Sequence, residues 1–507
     1  MVPTMIKNCI KEFKKLKKRT DFIQLMIDSE KSDKDLGYDS ISDAEQEEDK
    51  IYGEKPKSKP SGTLSPDEMV AQAILFYIAG YDTTSAALTH ALYYLSEHKD
   101  CQQKLYEELR SCDEFTYEKL SQLKYLNGVI HETLRLRPSF AKLFRSCVQD
   151  YKLGNTGITI PAGTAVEINL TTLQRDPKYW PNAEEFQPER WFEPNHHPYA
   201  YLPFGAGPRL CIGQRFAINE MQMCLAKMIR KFEFTMVPGF EIEYFRGQPA
   251  MSPKELQYLR RYFTYWSRQG VPGKNGVDFS LIGKLTHEID EQHFKEHGRI
   301  YGLYAFTYKV ICINEPDLLR DILVKDFHIF PDHLNFHLGS SKLEQSLFFI
   351  PGNDDWKRQR SILSPVFTSG KLRSMLEHIN QISDRFIHNL TKFEKQVCTA
   401  FIGPTYNLLW VYNDKCTTNS RIGYNRIPHI ADSGPIDMRK QVGAFAMDVI
   451  SCCAYGIDVE SMTNPNHPIV LNASKILSSD PRPGIIVSAL FPAFAKLIGA
   501  EPFDVDA

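Results

Sequence analysis

The chain has 507 residues, of which 42% are hydrophobic, so it can bury a large core in one big domain or in a few ordinary ones. Its 60 lysine and arginine residues are balanced by 62 aspartate and glutamate residues, which argues against a nucleic-acid-binding protein. Eleven cysteines without a CxxC pair in so long a chain favour reduced thiols over a disulfide framework.

The sequence was searched for membrane-spanning and targeting segments by the length and position of its apolar runs. No run of about 18 apolar residues is present, and Met1 precedes a lysine-rich segment rather than the apolar core of a signal peptide. The sequence therefore predicts neither a transmembrane anchor nor a secretion signal. The nearest approach is Gly484 to Ala500, which Pro492 and Lys496 interrupt, so peripheral membrane contact is a hypothesis.

The first predicted elements are a helix, a loop and a long buried helix. Apolar residues at helical spacing predict a helix over 1–28, and the polar residues 29–62 predict a disordered surface insert. Ser65 and Glu68 are typical of a helix start with a capping box. The helix that follows, over 69–95, is apolar on nearly every face, which predicts that it runs through the interior.

Mixed elements follow in the first half. A second helix ends near Pro138, and alternating residues over 158–168 predict short strands. Residues 176–192, rich in proline and tryptophan, are expected to be irregular but packed. A glycine-rich loop then leads into a helix over 214–232.

The second half is also mixed. A glycine and proline loop is predicted at 270–276, strands at 300–313, and helices at 316–324 and 354–363. Residues 397–432 fit no periodic pattern and are expected to be a disordered insert. Together these elements predict a mainly α fold with a small β portion.

The most specific motif is the loop from Phe204 to Gly213, which reads FGAGPRLCIG. It places Cys211 immediately before a helix, where N–H groups stabilise a thiolate, and its glycines let the backbone pass close to a flat cofactor. A buried structural cysteine is the alternative interpretation. The loop resembles the haem-binding signature of the cytochromes P-450, and Phe204, Gly207, Arg209, Cys211 and Gly213 match it. The resemblance implies that Cys211 is the axial ligand of the haem iron.

A second motif, AGYDTTS at Ala79–Ser85, puts a carboxylate and hydroxyl groups inside the predicted buried helix, where they need partners or water. A similar motif in the cytochromes P-450 bends the helix over the haem, where an acid and an alcohol relay protons. The resemblance implies these catalytic roles for Asp82 and Thr83. The alternative for Thr83, and also for Thr84, is a hydroxyl that bonds back to the preceding turn.

Glu132 and Arg135 are three residues apart on one predicted helix, a spacing that by itself indicates a weak surface pair. Combined with Arg190 in Pro188-Glu189-Arg190, they resemble the Glu/Arg/Arg network that locks the core behind the haem loop. The resemblance therefore implies structural rather than catalytic roles for these three residues.

Arginine side chains suit carboxylates, because the guanidinium fork matches two oxygens. The resemblance implies that Arg209, Arg145 and Arg360 hold the haem propionates, together with Trp356, and that Phe204 is a further cofactor-binding residue. Each arginine alone is equally compatible with an ordinary surface arginine.

The resemblance covers nearly the whole chain except roughly 29–62 and 397–432, but the two halves are exchanged. Residues 1–250 resemble the C-terminal half of a cytochrome P-450, and 256–507 resemble the N-terminal half. Because the core motifs are all present, the two parts are expected to form one domain with the cytochrome P-450 fold.

Two explanations for the exchanged order remain open. The chain is either a circular permutant or a gene model that joins the end of one tandem copy to the beginning of the next. The second also accounts for a missing closing strand after Pro253 and for the block 397–432, which otherwise reads as a surface insertion. In either case contacts are preserved, so Met1 and Ala507 are expected to lie near each other.

The segments 21–28 and 356–372 most resemble the microsomal family-3 drug and steroid hydroxylases. This implies a monooxygenase that binds haem b and inserts one oxygen atom of dioxygen into an apolar small molecule such as a steroid, lipid or xenobiotic. It also implies electrons from NADPH through cytochrome P-450 reductase, with cytochrome b5 as a second candidate partner, at the cytoplasmic face of the endoplasmic reticulum membrane. The alternative is a non-catalytic haem-binding protein or an inactive product of a mis-joined gene model.

Overall fold

The computed structural model describes residues 64–236, 265–273, 286–305, 308–333, 342–396, 409–412, 438–467 and 470. The predictions for 1–28, for 29–62 and for Gly484 to Ala500 lie outside the described residues, as does the predicted closeness of Met1 and Ala507.

Helices dominate the described chain, and the strands are short. The helices are α1 (Pro66–Glu97), α2 (Lys99–Arg110), α3 (Tyr117–Gln122), α4 (Lys124–Leu136), α5 (Leu170–Leu173), α6 (Gln214–Lys231), α7 (Tyr265–Arg268), α8 (Thr286–His297), α9 (Pro316–Arg320), α10 (Asp354–Leu363), α11 (Ser369–Gln396) and α12 (Met438–Tyr455). The strands are β1 (Lys142–Ser146), β2 (Tyr151–Lys152), β3 (Thr159–Ile160), β4 (Ala165–Asn169), β5 (Glu233–Met236), β6 (Ile300–Ala305), β7 (Tyr308–Ile313) and β8 (Leu409–Tyr412). The predicted mainly α fold with a small β portion is confirmed.

Helix α1 begins with the capping box that the sequence predicts. The Ser65 side chain accepts from the backbone N–H of Glu68, whose carboxylate accepts from the N–H of Ser65 at 2.7 Å. The helix continues for 32 residues, or about 48 Å at the usual rise, with buried residues from Met69 to Ser96. It therefore crosses the core, as its apolar faces predict.

Helix α12 packs along α1 in the antiparallel direction. Tyr455 donates a hydrogen bond to the carbonyl oxygen of Ala73, near the start of α1. Further along α1, a Cβ added to Gly80 would lie 2.8 Å from Cδ1 of Ile450. The missing side chain at Gly80 thus lets the two helices approach closely in the middle of α1.

One sheet contains strands from both halves of the chain, in the order β1-β4-β7-β6. Strands β1 and β4 are antiparallel, β6 and β7 form a second antiparallel pair, and β4 runs parallel to β7. The parallel pairing aligns Ala165 with Val310 and Glu167 with Cys312. Residues 1–250 and 256–507 therefore share this sheet.

A second, antiparallel pairing joins β5 to β8, with Glu233 opposite Tyr412 and Met236 opposite Leu409. Strand β8 comes from the block 397–432, for which the sequence predicts a disordered insert. These four residues instead form a two-stranded sheet with β5. The prediction for the rest of that block lies outside the described residues.

The largest apolar cluster joins residues of α1, α4, α6, α10, α11 and α12, and a second cluster lies against the sheet. Both clusters combine residues of the two halves. Among the helices that the structure describes, none is long and apolar enough to cross a membrane.

Candidate functional site

The loop from Phe204 to Gly213 ends directly before α6 begins. Gly205 and Gly207 turn it with φ angles of 78° and 71°, and the N–H of Cys211 donates to the carbonyl oxygen of Phe204 at 3.0 Å. Among the described cysteines, Cys211 alone is exposed. The loop thus holds an accessible thiol just before a helix N-terminus, where negative charge on sulfur is stabilised.

The loop also lies very close to the π turn at 321–325. A Cβ added to Gly207 would lie 2.0 Å from the carbonyl oxygen of Leu323. Glycine is therefore required at this position for close approach as well as for its positive φ.

Arg360 of α10 contacts the same loop next to the thiol. Its Nη2 donates to the carbonyl oxygen of Leu210 at 2.8 Å. Burial lowers the pKa of Arg360 to about 10, while the neighbouring Cys211 opposes this shift. A cation at this place stabilises the thiolate form of Cys211.

Arg209 is buried and anchored to three backbone carbonyl groups. Its guanidinium donates to the oxygens of Pro331, Leu347 and Ile350 at 2.9, 3.0 and 2.9 Å. Its Cζ lies over the Trp356 ring, 4.5 Å from the ring centroid. The structure therefore brings together the predicted cofactor-binding residues of the loop and of α10.

Arg145 of β1 lies close enough to Arg209 and Arg360 that the three form a buried arginine cluster. It is 1% exposed, and burial lowers its pKa to about 10. Burial, and then repulsion from Arg145, lowers the pKa of Arg209 to about 9. Within the described residues, Nε of Arg145 and Nε1 of Trp356 are buried without a hydrogen-bond partner.

The middle of α1 carries the predicted catalytic residues Asp82 and Thr83. Ala79 is exposed there and Thr83 is partly exposed, although residues before and after them along the helix are buried. Thr83 Oγ1 donates to the carbonyl oxygen of Ala79 at 2.7 Å, the bond back to the preceding turn that the sequence left as an alternative. Ser139 Oγ donates to the carbonyl oxygen of Thr83 at 3.1 Å.

Asp82 is half-exposed and forms an ion pair. Its Oδ1 lies 3.7 Å from Nη2 of Arg439, in the first turn of α12, with half of the Asp82 side chain exposed. The sequence does not reveal this partner, because Arg439 is separated from Asp82 by most of the chain. The proton-relay role of Asp82 and Thr83 remains a prediction.

The ring of Phe367 lies near both α1 and the end of the loop from Phe204 to Gly213. The ring of Phe367 is 5.7 Å from that of Phe76 in α1, centroid to centroid. Its Cε1 lies 3.9 Å from the position of a Cβ added to Gly213. One aromatic side chain therefore spans the distance between the helix and the end of the loop.

The structure also brings Glu132, Arg135 and Arg190 together. Glu132 accepts from Nε and Nη2 of Arg135 and from Nε of Arg190, each at 2.9 Å. Trp191 Nε1 donates to it at 3.0 Å. This carboxylate joins α4 to the turn at 188–191, beside which Phe204 packs on the aromatic cluster of Trp191.

Comparison with known proteins identifies the family. The chain matches the family model described as cytochrome P-450 over residues 1–260 and 275–404. The chain belongs to the cytochrome P-450 family. It is 42% identical over 249 residues to cytochrome P-450 3A13 of Mus musculus, covering 48% of this chain and 44% of the relative.

Other relatives give the same result. The identity is 42% over 226 residues to cytochrome P-450 3A29 of Sus scrofa and 39% over 226 residues to cytochrome P-450 3A5 of Homo sapiens. Each match covers 43% of this chain and 40% of the relative, so less than half of the relative's length is spanned. The predicted resemblance to family-3 cytochromes P-450 is confirmed.

Haem b, the cofactor of the cytochromes P-450, fits the charges of this site. Arg145, Arg209 and Arg360 bring three positive charges to the site. Among the described residues, the carboxylate that attracts Arg209 is that of Asp332, 3.9 Å away. With Asp332 beside Arg209 and the thiol of Cys211 beside Arg360, the site still keeps a net positive charge, which suits the two carboxylates of haem b. The unpartnered N–H groups of Arg145 and Trp356 are donors for such carboxylates.

Proposed function

We propose that the chain is a haem-thiolate monooxygenase that inserts one oxygen atom of dioxygen into an apolar small molecule of the steroid, lipid or xenobiotic class. The observation that supports this best is the accessible thiol of Cys211, which lies before α6 and beside the buried arginine cluster. When bound, haem supplies the oxygen chemistry, which consumes two electrons and two protons for each oxygen atom inserted and releases one water molecule.

Residues of the loop, of β1 and of α10 would hold the cofactor. Cys211 would hold the haem iron, and the N-terminus of α6 and Arg360 would stabilise its thiolate. Arg145, Arg209 and Trp356 would hold its two carboxylates.

Thr83 and Asp82 would move protons in the middle of α1, where Ala79 is exposed. Thr83 Oγ1 donates to the carbonyl oxygen of Ala79 and keeps two lone pairs, so it can accept a hydrogen bond from another donor. Asp82 is half-exposed and is therefore in contact with solvent protons. Ser139 fixes the backbone at Thr83.

The electron source and the location of the protein also belong to this proposal. Electrons come from NADPH through cytochrome P-450 reductase, with cytochrome b5 as a second partner, at the cytoplasmic face of the endoplasmic reticulum membrane. The likeness to family-3 cytochromes P-450 supports this part.

The test is the carbon monoxide difference spectrum of the reduced protein, followed by NADPH consumption and product formation with added reductase. The red-shifted Soret band of a thiolate-ligated haem is expected, and Cys211→Ser is expected to abolish it. Cys452→Ser, which alters a partly exposed cysteine of α12, is the matched control and should keep the band. A protein that binds haem without this band contradicts the proposal.

A non-catalytic haem-binding protein is the second candidate, and the ion pair of Asp82 with Arg439 favours it, because a paired carboxylate is less free to move protons. The two candidates differ in turnover. A red-shifted band with no substrate-dependent NADPH consumption supports this candidate, whereas oxygenated product supports the monooxygenase.

A further inference from the structure

A short turn at 343–350 lies between helix α1 and the ligand loop (204–213). On the loop side, Arg209 donates to two carbonyl oxygens of the turn at 3.0 and 2.9 Å. On the helix side, the N–H of Leu347 donates to Oε1 of Gln72 at 3.0 Å. The same turn is therefore held by a side chain of α1 and by a side chain of the ligand loop.

The turn is compact, so its two sides cannot move independently. The carbonyl oxygen of Ser346 accepts from the N–H groups of Phe349 and Ile350 at 3.0 and 3.1 Å. The side chains of Leu347 and Ile350 are buried in the largest apolar cluster, which also contains residues of α1. The carbonyl groups that face the ligand loop therefore keep a fixed position relative to the N–H that faces α1.

The Gln72 amide is fully buried, and its partners set its orientation. Its exposure is 0%, and its Nε2 donates to Oε1 of Gln359 in α10 at 2.7 Å. Nε2 of Gln359 donates in turn to the Glu68 carboxylate at 2.9 Å. Because each amide nitrogen is bonded to an acceptor, Oε1 of Gln72 is directed at the turn. Gln72 and Leu347 are 275 residues apart, so no local motif in the sequence indicates this contact.

We propose that Gln72 is a positioning residue, which holds the turn at 343–350 and through it fixes Arg209 and the ligand loop relative to α1. The inference rests on the proposed function, in which Cys211 of that loop and Thr83 of α1 serve the same cofactor. The Gln72 amide is occupied by protein partners. It therefore acts through the geometry of the loop rather than by contact with the cofactor.

The experiment compares holoenzymes in which this amide is changed. Gln72→Leu keeps the approximate shape of the side chain but leaves the N–H of Leu347 without an acceptor, so the turn must shift to satisfy it. The g values of the low-spin ferric haem in electron paramagnetic resonance should move, since they respond to the orientation of the thiolate ligand. Transfer of haem to excess apomyoglobin should become about threefold to tenfold faster, the effect of one lost hydrogen bond.

Two further variants separate positioning from a general loss of stability. Gln72→Glu should stay close to the wild type, because a buried carboxyl group stays protonated and can both accept from Leu347 and donate to Gln359. Gln102→Leu is the matched control. Gln102 is 5% exposed, and its Oε1 accepts from the N–H of Phe234 in β5 at 2.8 Å, so the same substitution removes an equivalent bond elsewhere. It should lower the free energy of unfolding without moving the g values or the transfer rate.

A double-mutant cycle tests whether Gln72 acts through Arg209. Arg209→Lys loses the planar fork that spans several carbonyl groups, so adding Gln72→Leu to it should speed haem transfer no further. The proposal is overturned if the two effects multiply, if Gln72→Leu matches the wild type, or if Gln102→Leu changes the g values as much.

A second variant covers the case in which Gln72→Leu does not fold. Gln72→Asn, whose shorter side chain withdraws the amide from the turn, is then compared in the same way and with the same expectation. A wild-type chain that never shows the thiolate-haem spectrum contradicts the proposed function itself, which distinguishes the two failures.

Discussion

At the residue scale, Glu132 is a carboxylate with no solvent exposure on which several buried donors converge. Removing it by Glu132→Ala leaves the Arg135 guanidinium buried without its counter-charge and Trp191 without its acceptor. We expect the free energy of unfolding to fall by about 3–5 kcal/mol, as for other buried pairs that lose one partner. Urea unfolding followed by circular dichroism measures this change.

The matched control is Glu184→Ala. Glu184 also pairs with an arginine, at 2.8 Å from Arg175, but 72% of its side chain is exposed. Exposed pairs contribute at most about 1 kcal/mol, so this variant should be nearly as stable as the wild type. Equal losses in the two variants would show that burial does not strengthen the Glu132 network.

Asp290 links stability to pH at the interface of α8 with the sheet. It is 0% exposed and lies 2.6 Å from Lys142 of β1. Burial raises the pKa of Asp290 to about 7, although Lys142 opposes the shift. Because this folded pKa exceeds the unfolded value of about 4, the contribution of Asp290 to stability is present at low pH and is lost as pH rises through about 7.

The variant that tests this is Asp290→Asn, which cannot ionise. The stability of the wild type relative to Asp290→Asn should fall as pH rises from 5 to 7 and then level off, in chemical unfolding measured at several pH values. Asp317→Asn, at a carboxylate whose side chain is 83% exposed, should show no such trend. A constant difference between the wild type and Asp290→Asn would contradict the raised pKa.

At the element scale, the ligand loop depends on its approach to the π turn at 321–325. Gly207→Ala forces a Cβ to within 2.0 Å of the carbonyl oxygen of Leu323 and must displace the loop. Gly163→Ala is the matched control, because Gly163 has φ of 77° but no atom within 4 Å of its added Cβ. Both variants carry the backbone cost, about 1 kcal/mol, but only Gly207→Ala should lose bound haem. Haem content after purification measures the difference, and equal content would rule out the close contact.

Local signals in the sequence predict the elements well. The capping residues Ser65 and Glu68 mark the start of α1, and the predicted helix over 354–363 coincides with α10. The predicted helix over 316–324 is only partly α-helical, since α9 ends at Arg320 and a π turn follows. The change from α-helix to π turn depends on which backbone hydrogen bonds form between adjacent turns. The spacing of apolar residues along the sequence does not show this.

Contacts between distant parts of the chain are not encoded in local patterns. The motif around Cys211 predicts a ligand loop, because thiolate and turn chemistry are local. The pairs of Asp82 with Arg439 and of Arg145 with His333 join residues from different halves. No local motif links the two partners of either pair. The sequence therefore predicts only those residues of the candidate site that belong to a motif.

At the scale of the whole molecule, the two halves complete each other. Strand β4 pairs with β7, and α1 packs on α12, so each half alone exposes a sheet edge and an apolar helix face. We therefore expect fragments 1–250 and 256–507, expressed separately, to lack cooperative unfolding.

Expressed together as two chains, the same fragments should co-purify, because association restores the shared sheet and core. One preparation carries an affinity tag on fragment 1–250, and a second carries it on fragment 256–507. Each tagged fragment should retain the untagged one. Cooperative unfolding of the mixture, absent from either fragment alone, is the expected measurement. Fragments that unfold cooperatively by themselves and elute separately would show two independent domains. In that case the order of the halves along the chain would matter for the site, because the residues around Arg209 would meet only through the covalent connection.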